Sequence, residues 1–242
     1  MLQIWEFESE VLDIENFVQD GRIIARIIRL EKPEYFSFKA GQFAMITMHG
    51  YEPGENRNKQ LWRAYSICSS PLQDDIELCI SIKEPPSFTH FMNENVRVEG
   101  KMNVKGPYGG FVLRENPEAI NLIAAGTGIA PIMGMIRDLA LSQAKIPLRL
   151  FYGYRNGNQH YYSEELKELA ANMENLGMLT IASREGPNPG YVQKLLEGFD
   201  FTGGKELEDT YICGPPKMVD HAKEIMMQKG FPKTRIHVEK YD

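Results

Sequence analysis

The stretch AINLIAAGTGIAPIMGMI, residues 119–136, decides how this chain folds. It is apolar and long enough to suggest a membrane span, but Gly126, Gly128 and Pro131 interrupt its middle while Asn121 and Thr127 add polarity. It therefore reads as a strand ending near Ala125, a glycine turn, and a helix opening near Pro131, whose missing N–H suits the first helical position. Glycines in such a turn let the backbone approach a phosphate, and a helix N-terminus adds unpaired N–H groups and a positive dipole end. The third glycine of the usual GxGxxG is absent. Alone, the loop is either a phosphate cradle or an ordinary tight strand-to-helix turn.

Reading outward, the grammar of the chain changes at RENPE, residues 114–118. Beyond it, apolar strands at 121–125, 148–152, 178–183, 210–213 and 235–239 alternate with helices beginning near Pro131, Ser163, Tyr191 and Pro216. Right-handed crossovers place such helices on both faces of a sheet, which predicts an α/β doubly wound five-stranded parallel sheet over residues 115–242. Upstream, over residues 1–114, the apolar pattern has period two, as in Ile76, Leu78, Ile80 and Ile82. Runs at 22–30, 42–48 and 75–82, separated by the turn signals AGQ, HGYEPGEN, SSPLQDD and VEGK, predict an N-terminal antiparallel β-barrel, interrupted by a short helix at 89–95.

Composition narrows the class. The 242 residues are 43% hydrophobic, enough for packed cores, and the net charge of −6 is spread along the chain. A general basic surface for nucleic acid is excluded, and no membrane span is expected. The cysteines Cys68, Cys79 and Cys213 are odd in number and lack CxxC spacing, which fits a reducing cytoplasm and rules out a four-cysteine metal or iron-sulfur site within this chain. The five histidines, His49, His90, His160, His221 and His237, have no ligand spacing and read as surface residues; no metal is expected. The opening MLQIWEFESEV carries acids and lacks an apolar core segment, so it reads as part of the folded chain.

A second cluster, Arg63-Ala64-Tyr65-Ser66, opens a strand. A guanidinium can clamp a phosphate, a phenol ring two residues on faces the same side, and the neighbouring hydroxyl can donate to a ring nitrogen, a set that suits a flavin. The order of motifs is more specific than any one of them. RAYS, then KGPYGGF at 105–111, AAGTGIAP at 124–131, ICGPPKM at 212–218 and a terminal VEKY at 238–241 resemble the ferredoxin-NADP reductase superfamily from end to end.

That resemblance implies a flavin-dependent NAD(P)H oxidoreductase carrying FAD, with FMN the lesser alternative, and taking NADPH or NADH as donor. It implies that Arg63 holds the flavin pyrophosphate, Tyr65 lies against the isoalloxazine, and Ser66 bonds near its N5. Ile82 and Lys83 would add backbone contacts. Phe88 and Thr89 would act as donors at the start of a short helix, although Pro86 stands where the family's second flavin motif has glycine. Gly126, Thr127 and Gly128, with Cys213, Gly214 and Pro215, would meet the nicotinamide nucleotide. Ser66, Cys213 and Glu239 would sit at the hydride-transfer centre, with Tyr241 as a terminal aromatic. Arg155, Ser183, Arg184 and Tyr191 would hold the adenosine end, where a 2′-phosphate marks NADPH and Glu185 opposes it.

Electrons would leave singly to a separate carrier: ferredoxin, flavodoxin or an oxygenase component. Arg22, Arg26, Arg29, Lys32 and Lys39 are either a docking face for such a carrier or an ordinary solvated strand edge. The polar segment HGYEPGENRNKQ before Trp62 reads as a hairpin loop near the flavin motif. Two other readings stay open on the same fold: a free flavin or quinone reductase, and a non-catalytic electron-transfer subunit of a larger complex.

Overall fold

The computed structural model describes residues 3–51, 61–202 and 204–241. The chain forms two compact units, Met1–Val112 with Met133–Asp138, and Leu113–Ile132 with Leu139–Asp242. In the first, β1 (Trp5–Gln19), β2 (Arg22–Glu31), β3 (Phe43–Thr47), β4 (Arg63–Ser66), β5 (Asp75–Ser81) and β6 (Lys101–Tyr108) form one antiparallel sheet in the order β4-β3-β6-β1-β2-β5. An Ile67–Leu78 bridge joins its two edges and nearly closes the barrel. The acidic opening segment is the long strand β1: Trp5 to Glu10 pairs with β6 and Val11 to Gln19 with β2, with register shifts where the strand bends. Its acids meet lysines of β6, Glu6 with Lys105 and Glu8 with Lys101, both at 2.8 Å on the surface.

Period-two side chains fill the interior. Ile28, Leu30, Ile46, Ile76, Leu78, Ile80 and Val104 form the core, and α1 (Phe88–Asn95) seals it with Met92, followed by Val96. Inside the same unit, Arg137 donates to Glu77 at 2.7 Å and to the Cys68 carbonyl at 3.0 Å, all buried. Ser70 bonds Asp138 at 2.9 Å, and a Cβ on Gly134 would lie 2.9 Å from the Ile67 carbonyl oxygen.

The five basic residues expected as a possible docking face are dispersed in role. Arg26 is buried, Arg29 is tied to Asp13 at 2.6 Å, Lys32 donates to the carbonyls of Pro71 and Gln73, and Arg22 lies 3.6 Å from Glu84. Among the five, Arg22, Arg29 and Lys39 are exposed, Lys32 is half-buried and Arg26 is buried.

In the second unit, β7 (Ile120–Ala125), β8 (Leu148–Tyr154), β9 (Leu176–Ala182), β10 (Asp209–Gly214) and β11 (Ile236–Lys240) form a parallel sheet in the order β11-β10-β7-β8-β9. Helices α2 (Ile129–Leu141), α3 (Ser163–Asn172), α4 (Val192–Gly198) and α5 (Pro216–Gln228) connect them. The chain grows from β7 outward to β9, then returns to lay β10 on the other side of β7. The strand order therefore reverses between β7 and β10, and their carboxyl ends frame a crevice. Among the described residues no helix is long and apolar enough to cross a membrane.

Three histidines expected at the surface, His90, His160 and His237, are half-buried. His160 stacks on Tyr154 with ring centroids 4.0 Å apart, where burial lowers its pKa, and His237 lies 3.3 Å from buried Asp209 and stacks on Tyr211. Flat aromatic faces accommodate an imidazole that sequence spacing alone assigns to solvent.

Candidate functional site

The crevice between β7 and β10 is built by glycines. After Ala125 the chain makes a 3₁₀ turn, Gly126–Gly128, and α2 begins at Ile129. Pro131 is thus the third helical residue rather than the first; its lack of an N–H is still harmless there, because first-turn N–H groups have no intrahelical partner. Gly126 takes φ +57, with nothing within 4 Å of where its Cβ would be, so the turn presents open backbone. Gly128 is there for close approach: a Cβ would lie 2.3 Å from the Cys213 carbonyl oxygen. Thr127 stands between these glycines. Tyr152, fully buried on β8, donates its hydroxyl to the Gly126 carbonyl at 3.2 Å and steadies the loop. Sequence reading missed this role, although an aromatic one strand away at the sheet's carboxyl edge was the available signal.

On the other wall, β10 ends in Cys213 and Gly214, and Pro215 caps α5. Parallel pairing sets Cys213 opposite Glu239, and the Tyr241 N–H donates to the Gly214 carbonyl at 3.0 Å. The structure thus gathers Cys213, Glu239 and Tyr241, which lie far apart in sequence from Gly126. Burial, then the Glu239 charge, push the Cys213 thiol well above its usual pKa, while donors from Tyr241 and the Gly214 N–H only partly oppose them. Burial at this strand end thus favours the neutral form of the Cys213 thiol.

The ends of β8 and β9 form a third cluster. The Ser183 N–H donates to the Tyr154 carbonyl at 2.8 Å and the Arg184 N–H to that of Arg155 at 2.9 Å, so Arg155, Ser183 and Arg184 are neighbours, both arginines exposed. Gly190 bonds back to Ala182, which brings Tyr191, 73% exposed, to the same edge. The Glu185 carboxylate accepts from the Gly157 N–H at 2.7 Å, which ties it to the loop after β8.

In the first unit, β4 puts Arg63 and Tyr65 on one face, with Arg63 exposed, Tyr65 half-buried and Ser66 buried. Tyr65 stacks over Phe88, the first residue of α1, at 6.4 Å, and desolvation raises its phenol pKa. Ser87 caps α1 by accepting from the His90 N–H at 3.1 Å, leaving the N–H groups of Phe88 and Thr89 in the first turn for a ligand. The Thr89 hydroxyl accepts the Lys83 N–H at 2.9 Å, and the Ile82 N–H goes to the Ile24 carbonyl. With those N–H groups engaged, any backbone contact from Ile82 or Lys83 runs through carbonyl oxygen, and that of Lys83 already accepts the Ser87 hydroxyl at 3.0 Å. The polar segment before Trp62 lies, from residue 52 to 60, outside the described residues.

Known proteins agree with this division. Residues 11–113 match the oxidoreductase FAD-binding domain family, and residues 122–224 the oxidoreductase NAD-binding domain family. The fold of the ferredoxin NADP+ reductase from Neisseria gonorrhoeae, solved with bound FAD and NADP, superposes with a TM-score of 0.81 at 18% identity, covering 97% of this chain and 98% of that one. Among curated proteins, the toluate 1,2-dioxygenase electron transfer component of Pseudomonas putida is 30% identical across 90% of this chain and 63% of its own length. The reductase component DmpP of phenol 2-monooxygenase from Pseudomonas sp. (strain CF600) is 28% identical across 88% of this chain and 60% of its own. The chain spans about three fifths of these two relatives.

An FAD-binding barrel followed by an NAD-binding parallel sheet is the architecture of a flavin and nicotinamide-nucleotide oxidoreductase. Residues 11–113 and 122–224 thus belong to the FAD-binding and NAD-binding oxidoreductase domain families, and the chain has the two-domain fold of a ferredoxin NADP+ reductase.

Proposed function

We propose that this chain is an NAD(P)H-dependent flavoprotein reductase that acts in the cytoplasm and hands electrons singly to a separate carrier. The observation that carries the reading is the glycine-built crevice at the strand-order reversal, with Gly126–Gly128 on one wall and Cys213, Glu239 and Tyr241 gathered on the other. When bound, FAD supplies the redox chemistry: it takes two electrons from a reduced nicotinamide and yields them one at a time.

The chain's own residues bind and position. Arg63 and the free N–H groups of Phe88 and Thr89 offer donors to the pyrophosphate, and Tyr65 offers a ring face to the isoalloxazine. Ser66, buried at the end of β4, is the hydroxyl assigned to the flavin N5 side. Gly126 and Gly128 admit the second pyrophosphate to the start of α2, with Thr127, Gly214 and Pro215 lining the nicotinamide side. The neutral Cys213 thiol fills space there, while Glu239 and Tyr241 orient it. FAD rather than FMN is supported by the FAD-binding family match. An oxygenase component is the carrier best supported by the relatives, several of which are electron-transfer or reductase components of oxygenases.

The test is an anaerobic visible spectrum of the purified chain before and after NADPH and, separately, NADH. A bound-flavin spectrum that bleaches rapidly supports the reading; a colourless protein, or a flavin neither donor reduces, points to the weak-flavin or non-catalytic alternatives. Donor choice falls to the β8–β9 edge. Two exposed guanidiniums beside Ser183 favour a 2′-phosphate and NADPH, since Glu185 is tied to Gly157. Arg184→Ala should raise KM for NADPH about tenfold, the cost of one charge-assisted contact, and leave KM for NADH nearly unchanged. Equal effects on both donors would remove the preference.

A further inference from the structure

The KGPYGGF segment, residues 105–111, has no task in the redox reading above, yet it is tied to the strand that carries Ser66. The tie is Gln42, the last residue of the AGQ turn, only 6% exposed. Its side-chain Oε1 accepts the Lys39 N–H at 2.8 Å, and its Nε2 donates to the Gly109 carbonyl at 3.1 Å. Its backbone N–H closes the turn on the Lys39 carbonyl at 3.0 Å, and its backbone carbonyl accepts the Ile67 N–H at 2.9 Å. One buried residue therefore fastens together the turn before β3, the glycine turn after β6 and the end of β4.

Ser66 sits inside this frame. Phe43 pairs with Ser66 on β4 and with Tyr108 on β6, so these residues form one row on one face of the sheet, and the Phe43 and Tyr108 rings stack at 5.7 Å. Ile67, next after Ser66, is held a second time by its bridge to Leu78. Glycines let the two turns close up. A Cβ on Gly41, at φ +93, would lie 2.1 Å from the Phe111 carbonyl oxygen, and one on Gly109, at φ +98, would lie 3.0 Å from the Phe43 ring. A neutral amide fits position 42 because it presents an acceptor and a donor in one plane. Turned over, it would set its oxygen against the Gly109 carbonyl and its nitrogen against the Lys39 N–H.

We propose that Gln42 is a positioning residue for the redox site: it locks the KGPYGGF turn onto the end of β4 and thereby fixes where Ser66 holds its hydroxyl. The proposal rests on the assignment of Ser66 to the flavin N5 side.

The experiment measures the midpoint potential of the bound FAD, by anaerobic reductive titration against a reference dye, in the parent chain, Ser66→Ala, Gln42→Met and the double variant. Ser66→Ala should change the oxidised-to-reduced ratio at a given potential about tenfold, or about 30 mV for a two-electron couple, the scale of one hydrogen bond. Gln42→Met keeps the length of the side chain and neither bonding group. It should shift the potential in the same direction with FAD content unchanged, and the double variant should match Ser66→Ala, because Gln42 acts through that hydroxyl. A Gln42→Met potential equal to the parent's, or shifts that add in the double variant, overturns the proposal and leaves the flavoprotein reading intact. A Ser66→Ala potential equal to the parent's overturns the Ser66 assignment and the proposal with it. If Gln42→Met does not fold, Gln42→Glu decides. Protonated, its carboxyl offers the same donor and acceptor as the amide and should keep the parent potential; the gap should open as pH rises and the donor is lost. A Gln42→Glu potential that follows the parent's across the range in which the carboxyl ionises overturns the proposal.

Discussion

Replacing Arg137 with methionine should destabilise the first unit by about 3–5 kcal/mol, the usual consequence of stranding one member of a buried ion pair. Arg137 is nearly fully buried and spends its Nη1 on both the Glu77 carboxylate and the Cys68 carbonyl. Methionine keeps much of the volume but leaves Glu77 buried without its cation. For a chain of this size the loss corresponds to a drop in Tm of roughly 10 °C. Arg137→Met combined with Glu77→Leu should recover most of that loss, since replacing both partners by apolar groups removes the stranded charge along with the bond. Thermal melts of the two single variants and the double variant read the coupling directly. A single variant within about 1 kcal/mol of the parent would show that the pair contributes little.

Gly128→Ala should lower kcat/KM for the reduced nicotinamide about a hundredfold, the scale of loss when reacting groups move by about 1 Å. The added Cβ would stand 2.3 Å from the Cys213 carbonyl oxygen, 2.7 Å from its carbon and 2.8 Å from the Gly214 Cα. All three are backbone atoms, so no side chain can swing away. The turn after β7 and the end of β10 must part, and they are the two walls of the crevice. FAD content should stay intact, because the flavin residues lie in the other unit. Gly198→Ala, at the end of α4 with open space around it, serves as the control and should leave flavin reduction unchanged. Normal reduction by Gly128→Ala would remove the crevice from the nucleotide-binding reading.

Much of the architecture was legible in the chain. The glycine break in residues 119–136 turned an apolar stretch into strand, turn and helix, and period-two alternation announced the barrel. The ICGPPKM segment pointed to residues that the fold places at the carboxyl end of β10, where ligands of such parallel sheets bind, and RAYS to the whole of the short barrel strand β4. Local pattern could not reach the role of Tyr152, whose hydroxyl bonds a loop 26 residues away, or the stacking of His160 on Tyr154. Those depend on which side chains neighbouring strands bring together.

β2 shows the limit most clearly. RIIARIIRL offers arginines that suit a solvated edge, yet Ala25 and Ile27 are buried on one face while Ile28 and Leu30 are buried on the other. With both faces covered, alternation no longer tells inside from outside, and only the barrel's closure turned Arg26 inward and Arg29 out to Asp13. By itself the sequence determined the two architectures and their order, because backbone preference and apolar period act over a few residues. The tertiary structure decided the reversal of strand order between β7 and β10, the meeting of Cys213 with Glu239 and Tyr241, and the burial of Arg26, because each is set by contacts between segments distant along the chain.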